Sequence, residues 1–186
     1  YLPSVAEAIV RAKEAGLLIP VVYNSSGYER PEMLKLLEGL VDVYLPDLKY
    51  MDPQTAKEYS RAEDYPRTAK AAIAEMVRQC PQPEFDERGM MKKGVLVRHL
   101  LLPGHRKDSE AVLQYLYETY GDSIYISIMS QYTPMPGVGE NFNELSKPID
   151  RTTADHLLHY AEKCGIKNGF YQDLTASGEE MIPDFK

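Results

Sequence analysis

The stretch that decides the fold is Gly94-Val95-Leu96-Val97-Arg98-His99-Leu100-Leu101-Leu102-Pro103-Gly104. Six of its eight residues between the glycine and the proline are aliphatic, with no alternation of apolar and polar positions. A continuous apolar run of that length, stopped by Pro-Gly, reads as a strand buried on both faces, the kind found in parallel sheets. Arg98 and His99 interrupt it. Neighbouring residues on a strand point to opposite faces, so only one of the two enters any given interior. An arginine in such a strand needs a partner.

Working outward, the same kind of run recurs at Leu18–Tyr23, at Leu40–Leu45 and at Ile124–Met129. Segments of helical period separate these strands. Leu2, Val5, Ala6, Ile9 and Ala12 precede Gly16, and Met33, Leu34, Leu36 and Leu37 follow Pro31 and precede Gly39. Asp52-Pro53 is a helix start, and Ala69, Ala72, Ile73, Met76 and Val77 mark a longer helix that Cys80-Pro81 ends. Glu84–Lys93 is polar and predicts a hairpin or excursion. Asp108-Ser109 is a cap for a helix bearing Val112, Leu113 and Leu116, and Thr152 with Asp155 resembles a capping box. Tyr132–Pro148, with three prolines and two glycines, predicts a long loop, and Phe170–Leu174 a short last strand.

The string α-β-α-β-α-β-α-β-α is that of an α/β protein with a parallel sheet covered on both faces. Right-handed crossovers leave two architectures, a barrel segment or an open doubly wound sheet. A first helix with no strand before it, in a chain that opens on Tyr1, leads to the expectation that upstream strands are missing. The 186 residues suit a single domain.

Apolar residues make up 44% and charged residues 26% of the chain, and the net charge is -7. That balance argues against nucleic acid or an anionic membrane as partner. No apolar run approaches the ~20 residues of a membrane span. Cys80 and Cys164, 84 positions apart, lie in no metal-ligand spacing and read as small buried hydrophobes. With no charged-then-apolar leader, they fit a cytoplasmic location.

Ligands of parallel sheets bind at the C-terminal ends of the strands. Four such ends carry polar groups: Tyr23-Asn24-Ser25-Ser26-Gly27-Tyr28, Leu45-Pro46-Asp47-Leu48-Lys49, Arg98-His99 and Ser130-Gln131. Singly they have plain readings, a turn or an ion pair. Together they bring carboxylate, ammonium, guanidinium, amide and hydroxyl to one rim, which suits a zwitterionic, hydroxyl-rich small molecule. His156 and His159 read as solvent-exposed, and His105 as a rim residue.

In order and spacing, YNSSGY, YLPDLKY and VLVRHLLLPG resemble the later strands of the pyruvate formate-lyase activating enzymes, of the radical S-adenosylmethionine group. The resemblance implies a TIM-barrel-like partial barrel of which this chain holds the later βα units. It implies a cofactor site made by Asn24, Ser25, Gly27, Asp47, Lys49, Arg98 and Gln131. In it Lys49 meets the S-adenosylmethionine carboxylate. Asp47, Asn24 and Ser25 support that end, directly or through a monovalent cation. The family often has a histidine in the region of Gln131. The family also carries a CxxxCxxC loop that holds a 4Fe-4S cluster and a G-G-E-P segment that binds the cofactor amine; residues 1–186 contain neither, nor any cluster ligand. The intact parent would generate a 5′-deoxyadenosyl radical that abstracts hydrogen from a glycine in a partner enzyme, a glycyl radical enzyme, while this part alone is expected to be inactive. Two other readings stand beside it. One is a cluster-free βα domain that binds a small ligand. The other is a barrel aldolase or isomerase with Lys49 as nucleophile, against which Asp47 counts because it stabilises the ammonium.

Overall fold

The computed structural model describes residues 1–172. Five parallel strands, β1 (Val22–Ser25), β2 (Val43–Pro46), β4 (Met91–Leu100), β5 (Tyr125–Met129) and β6 (Gly169–Gln172), lie side by side in that order. A two-residue strand, β3 (Glu84–Phe85), pairs antiparallel with the start of β4, as the polar excursion predicted. The helices are α1 (Leu2–Glu14), α2 (Pro31–Leu34), α3 (Pro53–Ser60), α4 (Tyr65–Gln79), α5 (Arg106–Tyr120), α6 (Val138–Asn141) and α7 (Arg151–Cys164).

The strand order never reverses. A doubly wound sheet must reverse at its switch point, so the barrel-type winding is the one this chain adopts. Successive right-handed crossovers without reversal deliver every helix to the same side of the sheet. The expectation of a sheet covered on both faces is therefore corrected. On the helix side Tyr44, Val95, Val97, Leu101 and Ile126 are at most 1% exposed, packed with Leu34, Leu37, Ile73, Met76, Leu113, Leu116 and Leu157. On the concave side Leu45, Leu96, Leu100 and Met129 remain half-buried. The apolar concave positions, needed on either face of a curved sheet, are what made the strands read as doubly covered.

Several boundaries move for local reasons. The first strand begins at Val22, after Pro20, leaving Leu18 95% and Ile19 70% exposed. The helix expected after Asp52 is two: Arg61 turns left-handed (φ 53°) to stop α3, whose Asp52 cap accepts from the amides of Gln54 and Thr55. Pro66 then lies in the first turn of α4. The last helix starts at Arg151, capped by Asp150 through the Thr153 amide, not by Thr152. Asp108 does not cap α5, which begins at Arg106. Its carboxylate instead accepts from the Met51 and Asp52 amides, fastening α5 to the segment after β2. The long loop contains α6 and a 3-10 turn, Asn143–Ser146. The last strand ends at Gln172, and Leu174 lies outside the described residues. Cys80 is buried as expected, Cys164 only partly, and both are free thiols.

At the N-terminal end of the concave face, Phe85 of the hairpin stands edge-on to Tyr125 at 5.1 Å between ring centroids, and Tyr125 stacks on Phe170 at 5.6 Å. This aromatic floor leaves the C-terminal end of the strands as the open one.

His99 lies within the helix-side layer, 1% exposed, its Nδ1 2.8 Å from the Leu48 carbonyl. Burial pulls its pKa down to about 4. In the unfolded chain the imidazole takes its proton near pH 6.5, so between pH 6.5 and 4 the unfolded state binds more protons and stability falls as pH falls. Chemical denaturation should lose about 3 kcal/mol from this group across that interval. Replacing His99 by Gln should remove that part of the slope; an unchanged slope would show that His99 is not the group responsible.

Among the described residues β1 hydrogen-bonds only to β2. With Leu18, Ile19 and Val22 exposed and no charged residue between Leu17 and Ser26, this edge is guarded against pairing with another strand only by Pro20 and by its shortness. Sedimentation should reveal concentration-dependent self-association that Val22→Lys reduces. A concentration-independent monomer would contradict this.

Candidate functional site

The parallel register sorts the polar strand-end residues before any side chain is considered. Asn24 is in register with Leu45, and Asp47 bridges to Arg98, so Asn24, Asp47 and Arg98 all project from the concave face. Ser25 is in register with buried Pro46 and projects the other way.

Three of the predicted residues meet directly. The Arg98 guanidinium donates from Nε to Asp47 Oδ1 at 2.9 Å, and its Nη2 lies 2.7 Å from the same oxygen. Nη2 also donates to Asn24 Oδ1 at 2.8 Å. Both guanidinium contacts fall on Oδ1, which leaves Oδ2 turned toward the Lys49 ammonium, 3.5 Å away. Asp47 and Lys49 thus share a face, two residues apart on extended backbone, as their spacing predicted. Asp47 and Arg98 are about three-quarters buried or more, whereas the Lys49 side chain is 42% exposed. One carboxylate against two cations leaves the cluster net positive, with the lysine as its solvent-facing member.

Asp47, Lys49 and Arg98 line a pocket of about 200 Å³ whose other walls are Tyr50, Leu100, Leu102 and Met129. Cavities that enclose a whole ligand of cofactor size run to roughly 300–1,000 Å³. This one has room for one end of such a molecule, with a polar, positively charged side and an apolar side. Larger clefts lie elsewhere, at Tyr28, Arg30, Asp64 and Arg67, at Asp52, His105, Lys107 and Asp108, and at Lys13, Ile19 and Asp42, but none of these includes the strand-end cluster.

The remaining predicted residues act differently. Ser25 Oγ donates to Glu29 and accepts from the Gly27 amide, closing the turn after β1. Gly27 has φ 76°, and a Cβ there would lie 2.2 Å from the Asp47 carbonyl oxygen, so only glycine lets this turn settle onto the end of β2. Gln131 is half-buried beyond the end of β5 and is not among the pocket-lining residues. His156 pairs with Glu110 at 2.9 Å on the outer surface. Among the described residues no group of three or more His, Cys, Asp or Glu is placed to hold a metal.

Sequence reasoning missed Tyr65. At the start of α4 and 3% exposed, its hydroxyl accepts from the Lys49 amide at 3.0 Å. It lies 2.8 Å from the Ser26 carbonyl and 3.0 Å from the Asp47 carbonyl, to which it donates. One phenol therefore ties the turn after β1 to the backbone of Asp47 and Lys49 after β2. The only hint in the sequence is a tyrosine directly before Pro66 at the helix start, ahead of the apolar positions Ala69, Ala72 and Ile73.

No family model matches the chain. An uncharacterized protein of Methanocaldococcus jannaschii is 27% identical over 149 residues, 80% of this chain and 39% of that protein, so the chain spans well under half the length of this curated relative. A solved domain of pyruvate-formate lyase-activating enzyme from Bacteroides vulgatus matches with a TM-score of 0.65 over 92% of this chain and 91% of that domain, at 12% identity.

Tyr65→Phe removes the hydroxyl and leaves the Lys49 amide without its acceptor. It should cost about 1–3 kcal/mol in urea denaturation. A loss below the error of the measurement would show that the tie carries no weight. At 12% identity the likeness to the Bacteroides domain is one of architecture, and the conclusion it supports is that this chain has a fold related to that of an activating-enzyme domain.

Proposed function

We propose that this chain supplies the amino-acid end of an S-adenosylmethionine site in a radical enzyme related to the activating enzymes, the whole protein acting on a glycyl radical enzyme. The observation that carries this reading is the Asn24–Arg98–Asp47–Lys49 cluster at the ends of three adjacent parallel strands. A net-positive group with one exposed ammonium beside an apolar wall fits a carboxylate on an aliphatic, sulfur-bearing stem. In this reading Lys49 binds the carboxylate, and Asp47, fixed by Arg98 and by the Tyr65 tie, holds Lys49 and faces the ligand's amine. Asn24 orients the guanidinium, while Ser25 and Gly27 shape the turn that lets Asp47 sit where it does. Gln131 belongs to the wider rim.

The residues present do not fit an iron–sulfur cluster. Cys80 is buried on the helix side and Cys164 lies in α7, so neither faces the pocket. The cluster ligands of this reading therefore lie outside residues 1–186, and no chemical step is assigned to this chain alone. The small pocket fits that division, because it has room for part of the cofactor only. A Schiff-base role for Lys49 gains no support: a half-exposed ammonium 3.5 Å from a carboxylate is the opposite of the desolvated amine such chemistry uses.

Isothermal titration of the chain with S-adenosylmethionine should give saturable binding, with methionine as competitor. Lys49→Ala should weaken it about tenfold, near 1.4 kcal/mol. Equal binding by both proteins, or none by either, would overturn the assignment. The reading frame ahead of the Tyr1 codon should encode CxxxCxxC. A stop codon or a frame without clustered cysteines would remove the radical part and leave a small-ligand-binding domain.

A further inference from the structure

The long loop after β5 is closed upon itself. Within residues 133–147, α6 and the 3-10 turn press together so tightly that a Cβ on Gly139 would stand 2.8 Å from the Ser146 Cβ. The Phe142 amide donates to the Val138 carbonyl at 2.9 Å, the Leu145 amide to the Phe142 carbonyl at 3.0 Å, and the Ser146 hydroxyl to the Asn143 carbonyl at 2.6 Å. At the base, the Tyr132 hydroxyl donates to the Leu145 carbonyl at 2.9 Å and draws the two ends together. Leu145 is 6% exposed, yet among the described residues it is not part of the apolar core that the sheet shares with its helices. Tyr132 packs against that core and Ile149 lies within it. The loop therefore has a small interior of its own, between two ends anchored in the main one. A surface loop with close ends, packed by its own side chains, is a unit distinct from the sheet beneath it.

Little else fastens it. Among the described residues, one hydrogen bond joins residues 133–147 to the helices around the sheet: the Tyr59 hydroxyl of α3 donates to the Glu144 carboxylate. The Tyr59 oxygen lies 2.6 Å from His105 Nε2, and with its one proton given to Glu144 it accepts from the imidazole. Phe142 and His105 each stand edge-on to the Tyr59 ring, at 5.0 and 5.1 Å between centroids. Gly104, left-handed at φ 82°, brings the turn after β4 under the Glu144 stem, where an added Cβ would come within 3.5 Å of it. Glu144 is exposed, and the Tyr59 hydroxyl holds its carboxyl below the usual range, so it is ionised at neutral pH.

This clasp adjoins the pocket. Tyr59 is 6.4 Å by ring centroid from Tyr50, the His105 amide donates to the Leu102 carbonyl at 3.1 Å, and the loop leaves β5 directly after Met129. Tyr50, Leu102 and Met129, with Leu100, are the apolar wall of the pocket.

We propose that residues 133–147 are a lid, hinged at Tyr132 and Ile149 and latched by Glu144 on Tyr59, whose release opens the apolar side of the pocket and whose return retains the ligand. Latched, the lid braces Tyr59 against Tyr50 and His105 against the turn that carries Leu102. Unlatched, Tyr59 loses Glu144 and Phe142 together, and the wall loses its backing. A hydrogen bond to an exposed carboxylate opens at little cost, because water replaces each partner, and that makes the latch reversible. The gating role rests on the reading above, which puts a ligand in this pocket; the hinge does not.

Spin labels on Met135→Cys in the lid and Gln114→Cys on α5, in a Cys164→Ser background, report the opening by double electron–electron resonance with no ligand present. The parent should give one narrow distance. Glu144→Ala, at an exposed position, should add a second, longer distance, and Phe142→Ala should do the same. A distribution unchanged by both variants, or already broad in the parent, would overturn the proposal. Stopped-flow tyrosine fluorescence should then show S-adenosylmethionine leaving Glu144→Ala about tenfold faster than the parent, the factor that one charge-assisted hydrogen bond supplies. Binding with equal dissociation rates would overturn the gating. If neither protein binds, the ligand reading fails and the gate with it, while the spin labels still decide the hinge.

Discussion

An arginine in the middle of an otherwise aliphatic strand is the constraint around which the rim of this protein is arranged. Parallel strands carry apolar side chains because both their faces are usually covered, and a guanidinium there must find a counter-charge or face solvent. Arg98 finds Asp47 on the neighbouring strand and Asn24 on the next. The three residues lie on adjacent strands, so the interaction also fixes how far β1 and β2 slide relative to β4. The Leu48 amide donates to the Arg98 carbonyl, and His99 reaches back to the Leu48 carbonyl from the opposite face. The end of β2 is therefore held to β4 by backbone on the helix side and by charge on the concave side.

That arrangement makes Lys49 the variable member. Asp47 has its first oxygen committed to Arg98 and its second turned to Lys49, while the lysine, among the described residues, has that one ionic partner and a half-exposed side chain. A flexible, hydrated ammonium beside a fixed carboxylate can leave its partner for an incoming anion at little cost, since exposed pairs contribute only about 0–1 kcal/mol. Arg98 could not do the same without abandoning a mostly buried carboxylate.

Much of this was legible in the sequence, and what was not has physical causes. Continuous apolar runs between helical patterns identified the strands of a parallel sheet, and Asp47 with Lys49 declared a shared face through spacing alone. Register, which brings Asn24 and turns Ser25 away, was not legible, because it depends on which residue of one strand faces which of the next. Tyr65 was hidden for a similar reason: its partners are backbone groups 16 to 39 positions away, and backbone groups leave no mark in a sequence. The single-sided covering of the sheet follows from strand order, which periodicity does not encode. Asp108 shows the limit of local rules. As a good capping residue it was assigned to its own helix, whereas it serves the amides of another segment.

The rings of Phe85, Tyr125 and Phe170 join parts of the chain that lie far apart in sequence. The β3 strand and the last described strand both rest on Tyr125, so neither can swing away from the sheet without parting an aromatic contact. A change at Tyr125 therefore loosens the hairpin and the final strand together, although, among the described residues, the two share no ladder of hydrogen bonds.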